Sequence, residues 1–115
     1  MPQNLWQLPD PFPDQEQLET LVKTPLLHIE RIISPGQNQP GPWYDQSQDE
    51  WVVLLQGQAT LEYADGTHQT LGAGDYCLIL AHQRHRVVYS SAEPPCLWLA
   101  IHGPLVHNRL EENIT

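Results

Sequence analysis

The chain has 115 residues, 40% of them apolar, and a formal net charge of -9 with only five Lys and Arg. That length predicts one hydrophobic core in one domain, and that apolar content is too high for a disordered chain. So acidic a chain lacks the clustered cations that nucleic-acid phosphates and anionic membrane surfaces require, and no apolar stretch reaches the roughly 18–20 residues that span a bilayer.

The first residues, Met1 to Trp6, show no charged segment followed by an apolar one. Cys77 and Cys96 stand apart in strand-like apolar segments without CxxC spacing. Two separate thiols and no export signal predict a cytoplasmic protein.

Residues 1–25 read as an arm and a short helix belonging to the same domain as a β-barrel over residues 26–115. Four of the eleven prolines (Pro2, Pro9, Pro11, Pro13) fall in the first thirteen residues, which are expected to be irregular and pinned by Leu5, Trp6, Leu8 and Phe12. A helix is then expected, with Asp14 as cap, Gln17 completing a capping-box-like pair and Leu18, Leu21 and Val22 on one face. Thr24-Pro25 ends it.

From Leu26 onward the periodicity is that of strands, expected at Leu26 to Ile33, Glu50 to Leu55, Gln58 to Tyr63, Tyr76 to Leu80, His85 to Tyr89 and Cys96 to His102. Gln56-Gly57, Asp65-Gly66, Gly72-Ala73-Gly74-Asp75 and Glu93-Pro94-Pro95 supply turn chemistry between them, and Ser34 to Pro42 is a Gly/Pro/Gln-rich loop. Short strands at this spacing predict an all-β sandwich or barrel. In Glu50 to Leu55 both alternating faces are apolar, so the strand needs cover on its outer side. The arm, the helix or a second subunit could supply it, and a homodimer is the favoured expectation.

The densest information lies in GPWYDQSQDEWVVLLQG (residues 41–57) and GDYCLILAHQRH (residues 74–85). These stretches resemble cupins, in which G-x5-H-x-H-x3or4-E-x6-G and G-x5-P-x-G-x2-H-x3-N supply three His and one Glu to a metal inside the barrel. Glu50 followed six residues later by Gly57 matches the first motif, and His85 after Gly74 matches the second. The H-x-H slots hold Trp43 and Asp45 or, in the other spacing, Tyr44 and Gln46. Leu80, His82 and Tyr89 stand in the Pro, Gly and Asn slots.

The resemblance covers residues 26–102, and the combination of WYDQ, DEWVVLLQG, AHQRHRV and WLAIH looks like small single-domain bacterial cupins of the cupin 2 type. It implies an RmlC-like jelly-roll barrel, the double-stranded β-helix, and a divalent metal ion (Fe, Mn, Ni or Zn). The reaction stays open, because cupins include isomerases, dioxygenases, decarboxylases, lyases and non-enzymatic binders of small molecules.

The residues themselves carry part of that reading. A carboxylate heading an apolar strand, as Glu50 does, costs several kcal/mol if buried alone and needs a partner, either a cation or an arginine such as Arg84 or Arg86. His85 shares a strand face with Val87, so an inward Val87 brings the imidazole inward, as a ligand or as a bonded core residue. Asp45 is the candidate to replace a missing imidazole, though it also suits a loop turn; His82 is the other candidate.

Trp43, Tyr44, Gln46, Tyr89 and Trp98 are candidates for the pocket mouth, and His102 for the pocket or a subunit boundary. His28, His68 and His107 read as surface residues. No nucleophile elbow, phosphate loop or zinc-protease helix motif occurs. Two function classes remain: a metal-dependent enzyme at Glu50 and His85, or a metal-free module that binds or senses a small ligand.

Overall fold

Eight strands form in residues 2–106, the part of the chain that this computed structural model describes; the expectation for His107 lies outside the described residues. They are β1 (Gln17–Lys23), β2 (His28–Ser34), β3 (Asp49–Gln56), β4 (Ala59–Tyr63), β5 (His68–Leu71), β6 (Tyr76–Ile79), β7 (His85–Ser90) and β8 (Cys96–Gly103). All pair antiparallel, in a five-stranded sheet of order β1-β2-β8-β3-β6 and a three-stranded sheet of order β5-β4-β7. Six of the eight occupy the segments whose alternation predicts strands. No helix occurs among the described residues, and so none that could cross a membrane.

The expected N-terminal helix is instead β1. It pairs with β2 from Gln17↔Ile33 to Lys23↔His28, with a register shift between Thr20 and Val22. Capping and periodicity favour a helix locally, but a helix this short is marginal in water, and forming it would leave the backbone edge of β2 unpaired. The extended form satisfies that edge and brings Glu19 against Arg31 across the strands, with Arg31 Nε 2.6 Å from Glu19 Oε1.

β5 has no sequence signature because three of its four residues are exposed, so burial imposes no alternation. The hairpin before it forms it. Gly66 takes φ +90°, Tyr63 N donates to Thr67 O at 2.9 Å, and Asp65 Oδ1 accepts from both Thr67 N and Thr67 Oγ1.

The core lies between the sheets. Val52 and Leu54 of β3, Trp98 and Ala100 of β8 and Ile79 of β6 meet Ala59 and Leu61 of β4 and Leu71 of β5. Cys77 and Cys96 are separate free thiols.

The β3–β4 connection turns on Gly57, at φ +96°, where a Cβ would stand 2.8 Å from Cys96 Sγ and 2.9 Å from Ser91 Oγ. Both the left-handed backbone and the close approach require glycine. Gly57→Ala is therefore expected to destabilise the fold by about 1–3 kcal/mol. Urea denaturation read by tryptophan fluorescence checks this; an unchanged midpoint would contradict it.

Candidate functional site

Strand alternation builds the site. In β3, Glu50, Val52 and Leu54 face the space between the sheets, while Trp51, Val53 and Leu55 face out. Register then sets their neighbours: Glu50 lies opposite His102 of β8, and His102 lies opposite His28 of β2. Glu30, two residues along β2, reaches the same space, and His85 enters from the start of β7 in the other sheet.

Together they line a cavity of about 170 Å³. One end is polar, formed by Glu30, Tyr44, Gln46, Glu50, His85 and His102. Leu18, Ile32, Val52, Leu61, Ile79, Val87 and Trp98 make the remaining walls. Leu18 is there because β1 is a strand.

Glu30, Glu50, His85 and His102 are each between 6% and 9% exposed, so their charges are largely removed from water. His102 Nε2 lies 3.1 Å from Glu30 Oε1 and 3.9 Å from Glu50 Oε2. The other oxygen of Glu50 lies 3.8 Å from His85 Nε2. On the far side, Glu30 Oε2 is 3.8 Å from His28 Nε2, which bonds Thr20 Oγ1 at 2.9 Å.

His85 Nδ1 lies 3.0 Å from Gln83 O. A carbonyl only accepts, so Nδ1 carries the hydrogen, and in the neutral ring Nε2 presents a lone pair to Glu50. With Glu50 ionised, two acceptors then face each other across 3.8 Å. A third acceptor on the same cavity, Gln46 Oε1, is buried with no hydrogen-bond partner. Burial raises the pKa of Glu50 above the usual carboxylate value; His102 and His85 pull it down, and Glu30 pushes it up further. Burial also raises that of Tyr44, with Glu16, Glu50 and Glu30 adding to it.

The two possible spacings of the first motif are separated by geometry. Tyr44 and Gln46 line the cavity, and Tyr44 bridges His85 through Tyr44 N to His85 O at 2.8 Å and His85 N to Tyr44 O at 3.1 Å. Trp43 and Asp45 do not line it. Trp43 packs under Arg86 at 4.4 Å and Arg84 at 5.2 Å from the ring centre, which removes it from the pocket mouth. Arg86 also bonds Glu62 at 2.7 Å, so the arginine alternative for Glu50 is replaced by imidazole neighbours.

Asp45 and His82 meet each other rather than Glu50. Asp45 Oδ1 lies 2.7 Å from His82 Nδ1, and their side chains are 52% and 69% exposed. Their backbones hold them there, since His82 adopts φ 63° and its N donates to Gln46 O at 2.7 Å. Tyr89 also lies away from the cavity, 42% exposed beside a surface groove with Trp6 and Ser91. Trp98 and His102 do line it.

Glu30 escaped the sequence reading, as did the link through His28. The pattern His28-x-Glu30-x-Ile32 in an expected strand was the available signal, because an acid in phase with an inward Ile is as costly there as Glu50 is in β3. Among the described residues no group of three or more His, Cys, Asp or Glu is arranged to hold a metal ion. Glu50 and His85 form a pair, with the orphaned Gln46 oxygen on the same cavity.

A family model described as "Cupin domain" matches residues 30–102. Among solved structures, a proposed mannose-6-phosphate isomerase from Ralstonia eutropha is 40% identical, with a TM-score of 0.79 over 90% of this chain and 98% of that one. A cupin superfamily protein from Desulfitobacterium hafniense is 18% identical, with a TM-score of 0.67 over 79% of each chain. An RmlC-like cupin with a double-stranded β-helix fold from Methanocaldococcus jannaschii is 16% identical, with a TM-score of 0.66 over 80% of this chain and 83% of that one. No match is found among curated proteins. With the matched segment running from Glu30 to His102, the two residues that bond each other at the polar end of the cavity, the chain belongs to the cupin domain family.

Proposed function

We propose that this cupin holds a divalent metal ion at Glu50 and His85 and binds a small molecule in the adjoining cavity. The observation that carries this reading is the buried Glu50 carboxyl and His85 imidazole facing each other across 3.8 Å, the imidazole's other nitrogen being committed to a carbonyl, so that an ion displacing the carboxyl proton finds two donor atoms. A metal-binding histidine is commonly oriented in that way. Carboxylate, imidazole and the unpartnered Gln46 oxygen form a donor set suited to Fe, Mn, Ni or Zn. When bound, such an ion supplies a Lewis acid for an oxygen of the ligand.

The chain's own residues define the rest of the site. Tyr44, with its pKa raised, keeps its proton and offers an O–H donor at the polar end. The His102–Glu30 pair offers a second polar contact there. The other walls are aliphatic apart from Trp98, so they favour a compact ligand, mainly apolar with one oxygenated end.

Among the described residues no Lys or Arg lines the cavity, so a phosphorylated sugar finds no counter-charge from them: Arg31 is bound to Glu19, and Arg84 and Arg86 lie over Trp43. Millimolar mannose 6-phosphate is therefore expected to leave the melting temperature unchanged, and a clear upward shift would overturn that exclusion.

A metal-free binding module is the second reading. It is favoured by the absence, among the described residues, of a group of three or more His, Cys, Asp or Glu that could hold a metal ion. In that case a protonated Glu50 itself donates to the ligand.

Metal analysis of protein purified without chelator separates the two. Near-stoichiometric metal is expected in the wild type, with at least a tenfold loss in Glu50→Ala and in His85→Ala, on the order of what loss of one supporting contact already costs. Asp45→Ala and His82→Ala are expected to retain it. A metal-free wild type that also fails to gain thermal stability with added Mn, Ni or Zn would remove the metal and leave the second reading.

Stability against pH tests the electrostatics in chelator-treated protein. Because the folded-state pKa of Glu50 is raised, the native state keeps a proton that the unfolded chain gives up above the ordinary value of 4.5. Stability contributed by Glu50 is thus present at low pH and falls as pH rises through that window. Urea midpoints near pH 5 and near pH 7.5 are expected to differ more in the wild type than in Glu50→Gln; equal differences would contradict the buried carboxylate.

A further inference from the structure

We infer that His28, Glu30, Asp45 and His102 form the entry route by which a divalent ion reaches Glu50 and His85, through a second cavity behind the first. The inference rests on the metal reading above. The second cavity, of about 450 Å³, is lined entirely by polar residues, His28, Asp45, Ser47 and Gln48 among them. It shares Glu30, Gln46 and His102 with the ligand cavity, so these three residues stand between the two.

Across this partition, nitrogen and oxygen donors follow one another in short steps. His28, its side chain 30% exposed, has Nε2 3.8 Å from Glu30 Oε2; Glu30 Oε1 lies 3.1 Å from His102 Nε2; and His102 Nε2 lies 3.9 Å from Glu50 Oε2. Glu30 thus turns one oxygen to the outer imidazole and the other to the inner one. An ion that sheds water at one step meets a protein donor at the next, and is never stripped bare in an apolar setting. Among the described residues no group of three or more His, Cys, Asp or Glu could hold a metal ion, so no such group along the route would trap it.

The ligand cavity has a different mouth. Leu18 and Tyr44, 58% and 41% exposed, are the most open residues of its lining. Leu18 offers an ion no donor and Tyr44 a single oxygen, so that rim suits an apolar ligand and the polar cavity suits a cation. Charge favours the same division. Asp45, 52% exposed, stands at the outer cavity, and among the described residues no Lys or Arg lines either one. A cleft lined by acids raises the local cation concentration and the rate of entry. The route gives a use to Asp45 and His28, which lie beyond reach of Glu50.

Stopped-flow mixing of the chelator-treated full chain with Ni(II), followed by tryptophan quenching, reads entry; a chase of the loaded protein with excess EDTA reads release. A residue of the route lowers the barrier in both directions, so its loss slows entry and release by one factor and leaves Kd alone, whereas loss of a ligand weakens Kd. The double variant His28→Gln, Asp45→Asn is expected to slow both rates about tenfold, on the order of what electrostatic focusing supplies, with Kd held within about twofold. Asp45→Asn alone, at a half-exposed position, serves if the double variant fails to fold by circular dichroism. Glu93→Gln removes the same charge in the β7–β8 connection, at the opposite end of β7 from His85, and is expected to leave entry unchanged. Unchanged entry in a folded route variant, slower entry with a weakened Kd, or equal slowing in Glu93→Gln would each overturn the route and leave the metal reading in place. A wild type that takes up no Ni(II) would overturn both.

Discussion

The pairing of β3 with β8, which sets Glu50 opposite His102, is the constraint on which the rest of the site depends. Side chains alternate with a period of two, so a slip of one residue would send Glu50 to the outer face and bring Trp51 into the cavity. The same register runs on through β8 to β2, placing Glu30 within reach of His102, and through β3 to β6, placing Ile79 beside the polar end. Four strands share one alignment. The cavity is a product of that alignment, and no single loop builds it.

What the alignment brings together is costly. Two carboxylates and two imidazoles sit at 9% exposure or less, where an unpaired charge is heavily penalised. The fold offsets part of this with the 3.1 Å contact from His102 to Glu30 and the 3.0 Å contact from His85 to Gln83 O. It leaves Glu50 with only distant partners and Gln46 Oε1 with none. Residual electrostatic need therefore concentrates at one end of one cavity, against walls that are otherwise apolar. That concentration is what distinguishes a binding site from a core.

Much of the fold was legible wherever a strand is buried on at least one face. β2, β3, β4, β6, β7 and β8 announce themselves by alternation, because burial forces it. β5 was silent because little of it is buried. β1 runs against its local signals, because Asp14, Gln17 and the Leu18, Leu21, Val22 spacing favour a helix, while the open edge of β2 that wins is supplied by distant residues.

The same division runs through the site. Glu50 and His85 were legible from strand phase and motif frame together. Tyr44 and Gln46 share the parity of Glu50, yet they precede the strand, where parity carries no guarantee, so only the folded path of the loop separates them from Trp43 and Asp45. The mutual capture of Asp45 and His82 depends on the left-handed backbone at His82, which no periodicity reports.

β3 shows what such an arrangement does to a protein's history. Its even-numbered residues from Glu50 to Leu54 build the cavity and core, and Trp51 and Val53 face outward, opposite Ile101 and Leu99 of β8. Its C-terminal end feeds directly into the turn that only Gly57 fits. Along this segment there is no slack position at which random substitution can accumulate unnoticed. New specificities are more accessible through walls contributed by the edge strand, such as Leu18 in β1, than through β3, which is paired on both sides.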